Sequence, residues 1–329
     1  MVRSSPSWST FAAGRAGARS VNTQPTVHMY TPLSVAWRTS LRSATYDTEP
    51  LEALRVLRQT AHAVSTAGSP VEVRVGVPPV NEGPGTSIAP LAAFSNAAHV
   101  GKELATIAAG DAGGRPNVVG ACAALFLADA IGGPLAVAVV TLRRGWSLNP
   151  NEVVLRYVPG GWFDLIRIGD CGLHILDTDR DLRTAPCIPH VEVASLRRAV
   201  AENLVEVFAP IFATLAAHTP YGVRHMWGHL LDQVHAHALR AAQPRMTSQQ
   251  AAAEAEALTA TVADLLAAGV SRPRRLVAPG RSQPPIIAVK GSCCLMFRTR
   301  PTAALEDATC RSCPLITDEV RLSRLVSLH

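Results

Sequence analysis

The chain has 329 residues, long enough to bury a sizeable core and about twice the length of a common single domain. Hydrophobic residues make up 48% and charged residues 17%, which excludes a disordered chain, a collagen-like repeat and a charge-rich coiled coil. The net charge of +6 is carried almost wholly by arginine, since Lys102 and Lys290 are the only lysines, and this balance does not mark a nucleic-acid-binding protein.

Residues 1–45 carry Arg3, Arg15, Arg19, Arg38 and Arg42 with no acidic residue and no uninterrupted apolar core, so they read as a loose cytosolic tail. A transit peptide has the same bias and stays the alternative. Thr48-Glu49-Pro50 opens a helix over Leu51–Ala67, and Val71–Val77 alternates as a half-buried strand ended by Pro78-Pro79. Asn81–Ser87 is loop by composition, and a helical pattern covers Ala92–Ala109. Asn117–Thr141 is long and apolar enough to suggest a membrane span. Asp129 and the Gly132-Gly133-Pro134 break point instead to a buried helix followed by a second apolar element, leaving at most peripheral membrane contact.

EVVLRYV, a Pro159-Gly160-Gly161 turn and WFDLIRI make a β-hairpin. Helical spacing covers Val191–Ala217, with a kink or break expected at Pro210, and Gly222–Arg240. Thr247–Ala268 starts on the capping box Thr247-x-x-Gln250 and stops at Gly269. Ser271–Pro285 is rich in Pro, Arg and Gly and reads as a linker, followed by a short strand over Ile286–Val289. The fold class is α+β: a helix-rich body with one clear hairpin.

Chemistry concentrates in the cysteines. Cys122, Cys171 and Cys187 are isolated, with no basic neighbour in sequence to mark a reactive thiolate at Cys171 or Cys187. Cys293-Cys294, fifteen intervening residues and Cys310-x-x-Cys313 form a cluster. Four soft thiolates can bind zinc or an iron–sulfur centre. Adjacent cysteines diverge in a regular strand and converge only on a distorted turn, which argues against an ordinary zinc ribbon and suits ligands shared between two irons. Packed thiols beside a chance Cys-x-x-Cys are the third reading.

The ending GSCCLMFRTR…ATCRSCPLITDEVRLSRL resembles the C-terminal signature of the FhuF-like ferric siderophore reductases, and LRYVPGGWFDLIRI and YGVRHMWGHLL are similar to that family's Gly-Gly hairpin and Trp-Gly helix. The resemblance runs from about Ala124 to Leu325 and is specific in the last forty or so residues. It implies a [2Fe–2S] cluster ligated by Cys293, Cys294, Cys310 and Cys313, and one-electron reduction of a ferric siderophore in the cytoplasm. It further implies a 46–270 substrate-binding body and a 271–329 linker and cluster module. The longer spacer, with Pro301–Thr309 as an inserted loop, departs from the family pattern, as does His229 where the family has Asn. A structural zinc site on the same four cysteines and a siderophore-binding protein with a regulatory cluster are the alternatives.

Arg272, Arg274, Arg275, Arg281, Lys290, Arg298 and Arg300 form a basic run suited to an anionic chelate or an acidic electron donor, or else to plain solvation. His225 and His229 lie at i, i+4, with Asp232, His235 and His237 following. Met226 stands where a zinc protease needs Glu, so that reading fails, and ordinary helix-face histidines are expected. With no P-loop and no G-x-G-x-x-G after a strand, the reductase would need a separate electron donor of the ferredoxin or flavin-reductase type.

Overall fold

A computed structural model of the chain describes residues 50–76, 87–110, 112–158, 160–169, 171–183, 187–266, 268–278, 286–299 and 308–326. The expected N-terminal tail, most of the Asn81–Ser87 loop, Arg281, Arg300 and most of the Pro301–Thr309 insertion lie outside the described residues. Tyr46–His329 forms one compact unit, and its architecture is α+β with a β-hairpin.

Helix α1 (Pro50–Thr66) buries Val56, Leu57, Ala61 and Val64 on one stripe and leads into β1 (Glu72–Val75), whose Val73 and Val75 face the core. A strand β2 (Ser87–Pro90) precedes a short 3-10 turn, then α2 (Val100–Ala109). Two helices follow, α3 (Pro116–Leu127) and α4 (Gly133–Leu142), joined without a break by a π-turn over Ala128–Gly132. The combined stretch Pro116–Leu142 passes a length and hydropathy test for a membrane span, but 94% of its most apolar window is buried inside the protein. The expected break at Gly132-Gly133-Pro134 is therefore absorbed by the π-turn, with Pro134 at the start of α4.

The remaining strands are β3 (Arg144–Ser147), β4 (Val153–Tyr157), β5 (Phe163–Ile168), β6 (Gly172–Leu176) and β7 (Cys187–His190). They build a four-stranded sheet in the order β1-β5-β4-β2, with β1 parallel to β5, and a three-stranded sheet β3-β6-β7. The hairpin β4–β5 is the one foreseen: Gly161 N–H donates to Val158 at 3.1 Å and Gly160 has φ +103°, a conformation that glycine enters without strain.

Helix α5 (Val193–His218) continues through Pro210 rather than dividing there. Pro210 lies on the exposed side, while Val207, Phe208, Ile211 and Phe212 are buried on the other and anchor the helix on both sides of the proline. Helix α7 (Ser248–Ala263) begins on the reciprocal Thr247/Gln250 capping box and ends five residues before Ala268, capped at Asp264. Strand β8 (Arg274–Val277) pairs antiparallel with β9 (Ile286–Val289), so part of the stretch read as linker is strand. A 3-10 turn (Met296–Thr299) and α8 (Asp318–Val326) complete the chain.

Helix α6 (Val223–Ala242) positions the site. It packs against α3, α4, α7 and β9 and is buried on nearly all sides, yet it carries polar residues in its interior. A buried polar group needs a partner, and several of these side chains reach a different element. His229 meets Tyr221 (2.9 Å), His235 meets Thr259 (3.4 Å), His237 meets Asp129 (2.7 Å) and Asp232 meets the segment before the double cysteine. The helix is both a core element and the anchor of the C-terminal segment.

Candidate metal centre

Beyond β9 the chain is held at successive peptide groups. Lys290 N–H donates to Ser312 C=O at 2.9 Å, joining the double-cysteine segment to the Cys-x-x-Cys loop. The N–H groups of Gly291 and Ser292 donate to the two carboxylate oxygens of Asp232 at 2.7 and 3.0 Å. The Tyr221 hydroxyl donates to Cys293 C=O at 2.9 Å. That hydroxyl has a single proton, so His229 donates to it from Nε2 at 2.9 Å, leaving a fully buried Nδ1 without a partner.

Leu295 then takes φ +58°, a left-handed backbone that costs an L-residue roughly 1–2 kcal/mol. The chain therefore turns directly after the double cysteine. Arg298 N–H donates to Leu295 C=O at 2.9 Å and Cys122 Sγ lies 3.1 Å from Met296 Sδ, which holds the far side of the turn.

The second pair sits on a tight loop closed by Cys313 N–H donating to Cys310 C=O at 3.0 Å. Helix α8 secures it. Arg321, buried and paired with Asp318, donates to Cys313 C=O at 2.5 Å, and Arg324 donates to Thr309 C=O at 3.2 Å. Arg274 of β8 meets the same Asp318 at 2.6 Å, tying α8 to the β8–β9 ribbon.

These supports bring the four thiols into side-chain hydrogen-bonding contact with one another: Cys294 with Cys310, Cys310 with Cys313, and Cys313 with Cys293. All four are free thiols. Hydrogen bonding with Cys294 and then Cys313 holds the Cys310 thiol well below its ordinary value, and hydrogen bonding with Cys313 lowers Cys293 to about 7. Cys294 and Cys313, which keep their protons in these pairings, are pushed up. Burial pulls the Lys290 ammonium toward neutrality, but Cys310, Cys294 and Asp232 outweigh it and raise its pKa, so Lys290 stays charged beside the sulfurs. Burial raises Asp232 to about 7 against the two amide bonds and Lys290.

The pairings run from one thiol to the next, and among the described residues no three His, Cys, Asp or Glu side chains stand in the arrangement of a metal-ion site. The donor set itself fits a thiophilic metal: four reduced thiols, two of them with lowered pKa, next to a fixed positive charge. Cys310 and Arg311 are exposed, as are Arg298 and Leu315, whereas Cys313 is buried.

Other candidates separate. His225, exposed on the first turn of α6, and the buried His229 both lie against the Tyr221 ring, with centroids 5.6 and 5.8 Å away, while His235 and His237 have the separate partners above. Trp227 packs edge-on against Phe212 with centroids 4.9 Å apart, as a core residue does. In the basic run, Arg272, Arg274 and Arg275 pair with Asp264, Asp318 and Glu256, which leaves Lys290 and Arg298 of its described members nearest the cysteines in sequence. Cys171 is buried, and Cys187 donates weakly to Asp181 C=O at 3.9 Å.

Sequence reasoning missed the Asp232 and Tyr221 contacts and Arg321. The one signal for the first was an aspartate one turn after His229, between the apolar Leu230-Leu231 and Val234. No protein-family model and no curated protein matches the chain.

Proposed function

We propose that the chain is an iron–sulfur ferric siderophore reductase in which Cys293, Cys294, Cys310 and Cys313 hold a [2Fe–2S] cluster. The observation that carries this reading is the meeting of four free thiols from two segments on a scaffold that fixes the flanking peptide groups. When bound, such a cluster supplies electrons one at a time. The substrate is a ferric chelate: hard anionic oxygens hold Fe(III) tightly and Fe(II) far less, so adding one electron releases the metal.

The residues of the chain do the rest. Lys290 places a positive charge against the thiolates, which favours the more reduced state of whatever they bind. Arg311 and Arg298 present exposed guanidinium groups flanking the cysteines in sequence, suited to an anionic chelate. The exposure of Cys310 gives the substrate an edge to approach. Electrons come from a separate donor of the ferredoxin or flavin-reductase type. The cytoplasm is the compartment in which four free cysteines stay reduced.

A structural zinc site is the second reading, favoured by the knuckle-like turn in which Cys313 N–H donates to Cys310 C=O. The two separate on one anaerobically purified sample. Equimolar iron and acid-labile sulfide with visible charge-transfer bands, and faster reduction of a ferric chelate than in the protein-free control, are expected. Stoichiometric zinc in a colourless protein overturns the redox reading.

A further inference from the structure

We propose that Asp232, assisted by Tyr221, is the positioning residue of the double-cysteine turn: it holds the two cysteines toward Cys310 and Cys313 before any metal arrives. This rests on the four cysteines being a metal centre, and not on which metal they take.

The geometry behind it is a clamp on both sides of a strained residue. Upstream, both oxygens of the Asp232 carboxylate are committed to consecutive amides, Gly291 and Ser292, the two residues before Cys293. At the cysteine itself, the Tyr221 hydroxyl holds the Cys293 carbonyl. Downstream, Leu295 has a left-handed backbone that a leucine does not adopt unaided, and Met296 is fixed against Cys122. Adjacent cysteines in extended chain point to opposite faces, so both can turn inward only if the backbone is bent and kept bent. The restraint on that bend comes from α6, whose Asp232 is 1% exposed and cannot relax into water. A ligand turn ordered in advance loses less entropy when the metal binds, which shows as affinity. Groups that orient metal ligands from behind typically change affinity by about 10–100-fold when altered.

The test uses Co(II), whose thiolate charge-transfer and ligand-field bands report the number and geometry of sulfur ligands, titrated into the full chain stripped of metal under anaerobic conditions. Asp232→Asn keeps the shape but turns an NH2 group toward one of the amides. It is expected to weaken Co(II) binding by about 10–100-fold and to alter the ligand-field bands. Gln243→Leu is the control for mere docking. Gln243, on the same segment after α6, donates to Ile286 C=O at 2.9 Å, at the opposite end of β9 from the cysteines. It is expected to lower thermal stability while leaving Co(II) affinity and spectrum unchanged. Equal losses in both variants, or an unchanged Asp232→Asn, overturn the proposal. Should Asp232→Asn fail to fold, Tyr221→Phe decides, with a weaker Co(II) complex expected and an unaltered one overturning. If the unmodified chain shows no thiolate bands, the metal-centre reading falls with the proposal. If it binds Co(II) but purifies with zinc, only the iron–sulfur reading falls.

Discussion

His237 donates from Nε2 to Asp129 Oδ1 at 2.7 Å, linking the middle of α6 to the π-turn between α3 and α4. Only the carboxylate can accept here, so the proton is on Nε2, and the buried Nδ1 has no partner. The glycines of the turn allow the approach: a Cβ at Gly133 would sit 3.0 Å from the His237 ring, and one at Gly132 would sit 3.0 Å from Leu230. Asp129→Ala removes the one acceptor His237 has and leaves a polar imidazole sealed in the core. We expect a loss of about 1–3 kcal/mol, read as a lower urea midpoint with unchanged slope. A change within about 0.5 kcal/mol would mean that the imidazole finds water instead.

The local elements were legible where a residue acts on its own neighbours. Thr247 and Gln250 are three residues apart and cap α7 as their spacing says, and the Val158–Gly161 turn closes the hairpin that the flanking β-rich runs announce. What depends on contacts distant in sequence was not legible. Pro210 looks like a helix breaker until the burial of Phe208 and Phe212 on the opposite face is known. Arg274–Val277 looks like linker until β9 lies beside it. In the site, the cysteines and their grouping could be read directly, but Asp232 acts 59 residues away on Gly291, and no spacing rule encodes such a bond.

Helix α6 also approaches the cysteine segment closely at Gly228. A Cβ there would lie 1.9 Å from Ser292 Oγ and 2.9 Å from Ser292 Cβ, closer than real contacts allow. Gly228→Ala should therefore push the two segments apart, costing about 1–3 kcal/mol and weakening metal binding, despite the better helix propensity of alanine. Adding Ser292→Gly removes both clashing atoms and should restore metal binding, whereas Ser292→Gly alone should be mild because its hydroxyl has no hydrogen-bond partner. Gly101→Ala, with nothing within 4 Å of the new methyl, should be neutral or slightly stabilising. Thermal melts and Co(II) titrations of the four variants check the set, and a double variant no better than Gly228→Ala would refute the steric account.

A second histidine relationship sets an acid limit. His174 Nδ1 on β6 lies 2.9 Å from His190 Nε2 on β7, so one ring donates to the other and the two cannot both be charged. Burial, then the His190 charge, pushes His174 from 6.5 down to about 4, and burial lowers His190 in the same direction. The unfolded chain therefore binds more protons between these values. The stability associated with His174 is complete above about pH 6.5 and drains as pH falls toward 4, by ~3 kcal/mol in all. Asp232, raised to about 7, acts with the opposite sign over part of this range, so the informative quantity is a difference. Between pH 7.5 and 4.5, His174→Gln should lose less stability in urea unfolding than the unmodified chain. Parallel losses would show that the pair does not titrate with folding.

The cysteines divide by environment, and serine substitution should divide them the same way. Serine keeps the size of the side chain but replaces a soft thiolate with a hydroxyl that soft metals bind poorly. Cys293→Ser, Cys294→Ser, Cys310→Ser and Cys313→Ser each remove a sulfur from the contact chain and should lower bound metal to less than about a tenth of its full occupancy, with thermal stability falling as metal is lost. Cys310 is exposed, so its variant should fold as well as the metal-free parent, while Cys313→Ser also places a hydroxyl in a buried position and should be the less stable of the two. Cys171→Ser and Cys187→Ser lie on β6–β7 and its approach, away from the sulfur chain, and should retain full metal content. Metal analysis and thiolate absorption of the six proteins provide the comparison. Retention of metal by Cys294→Ser would remove the double cysteine from the ligand set.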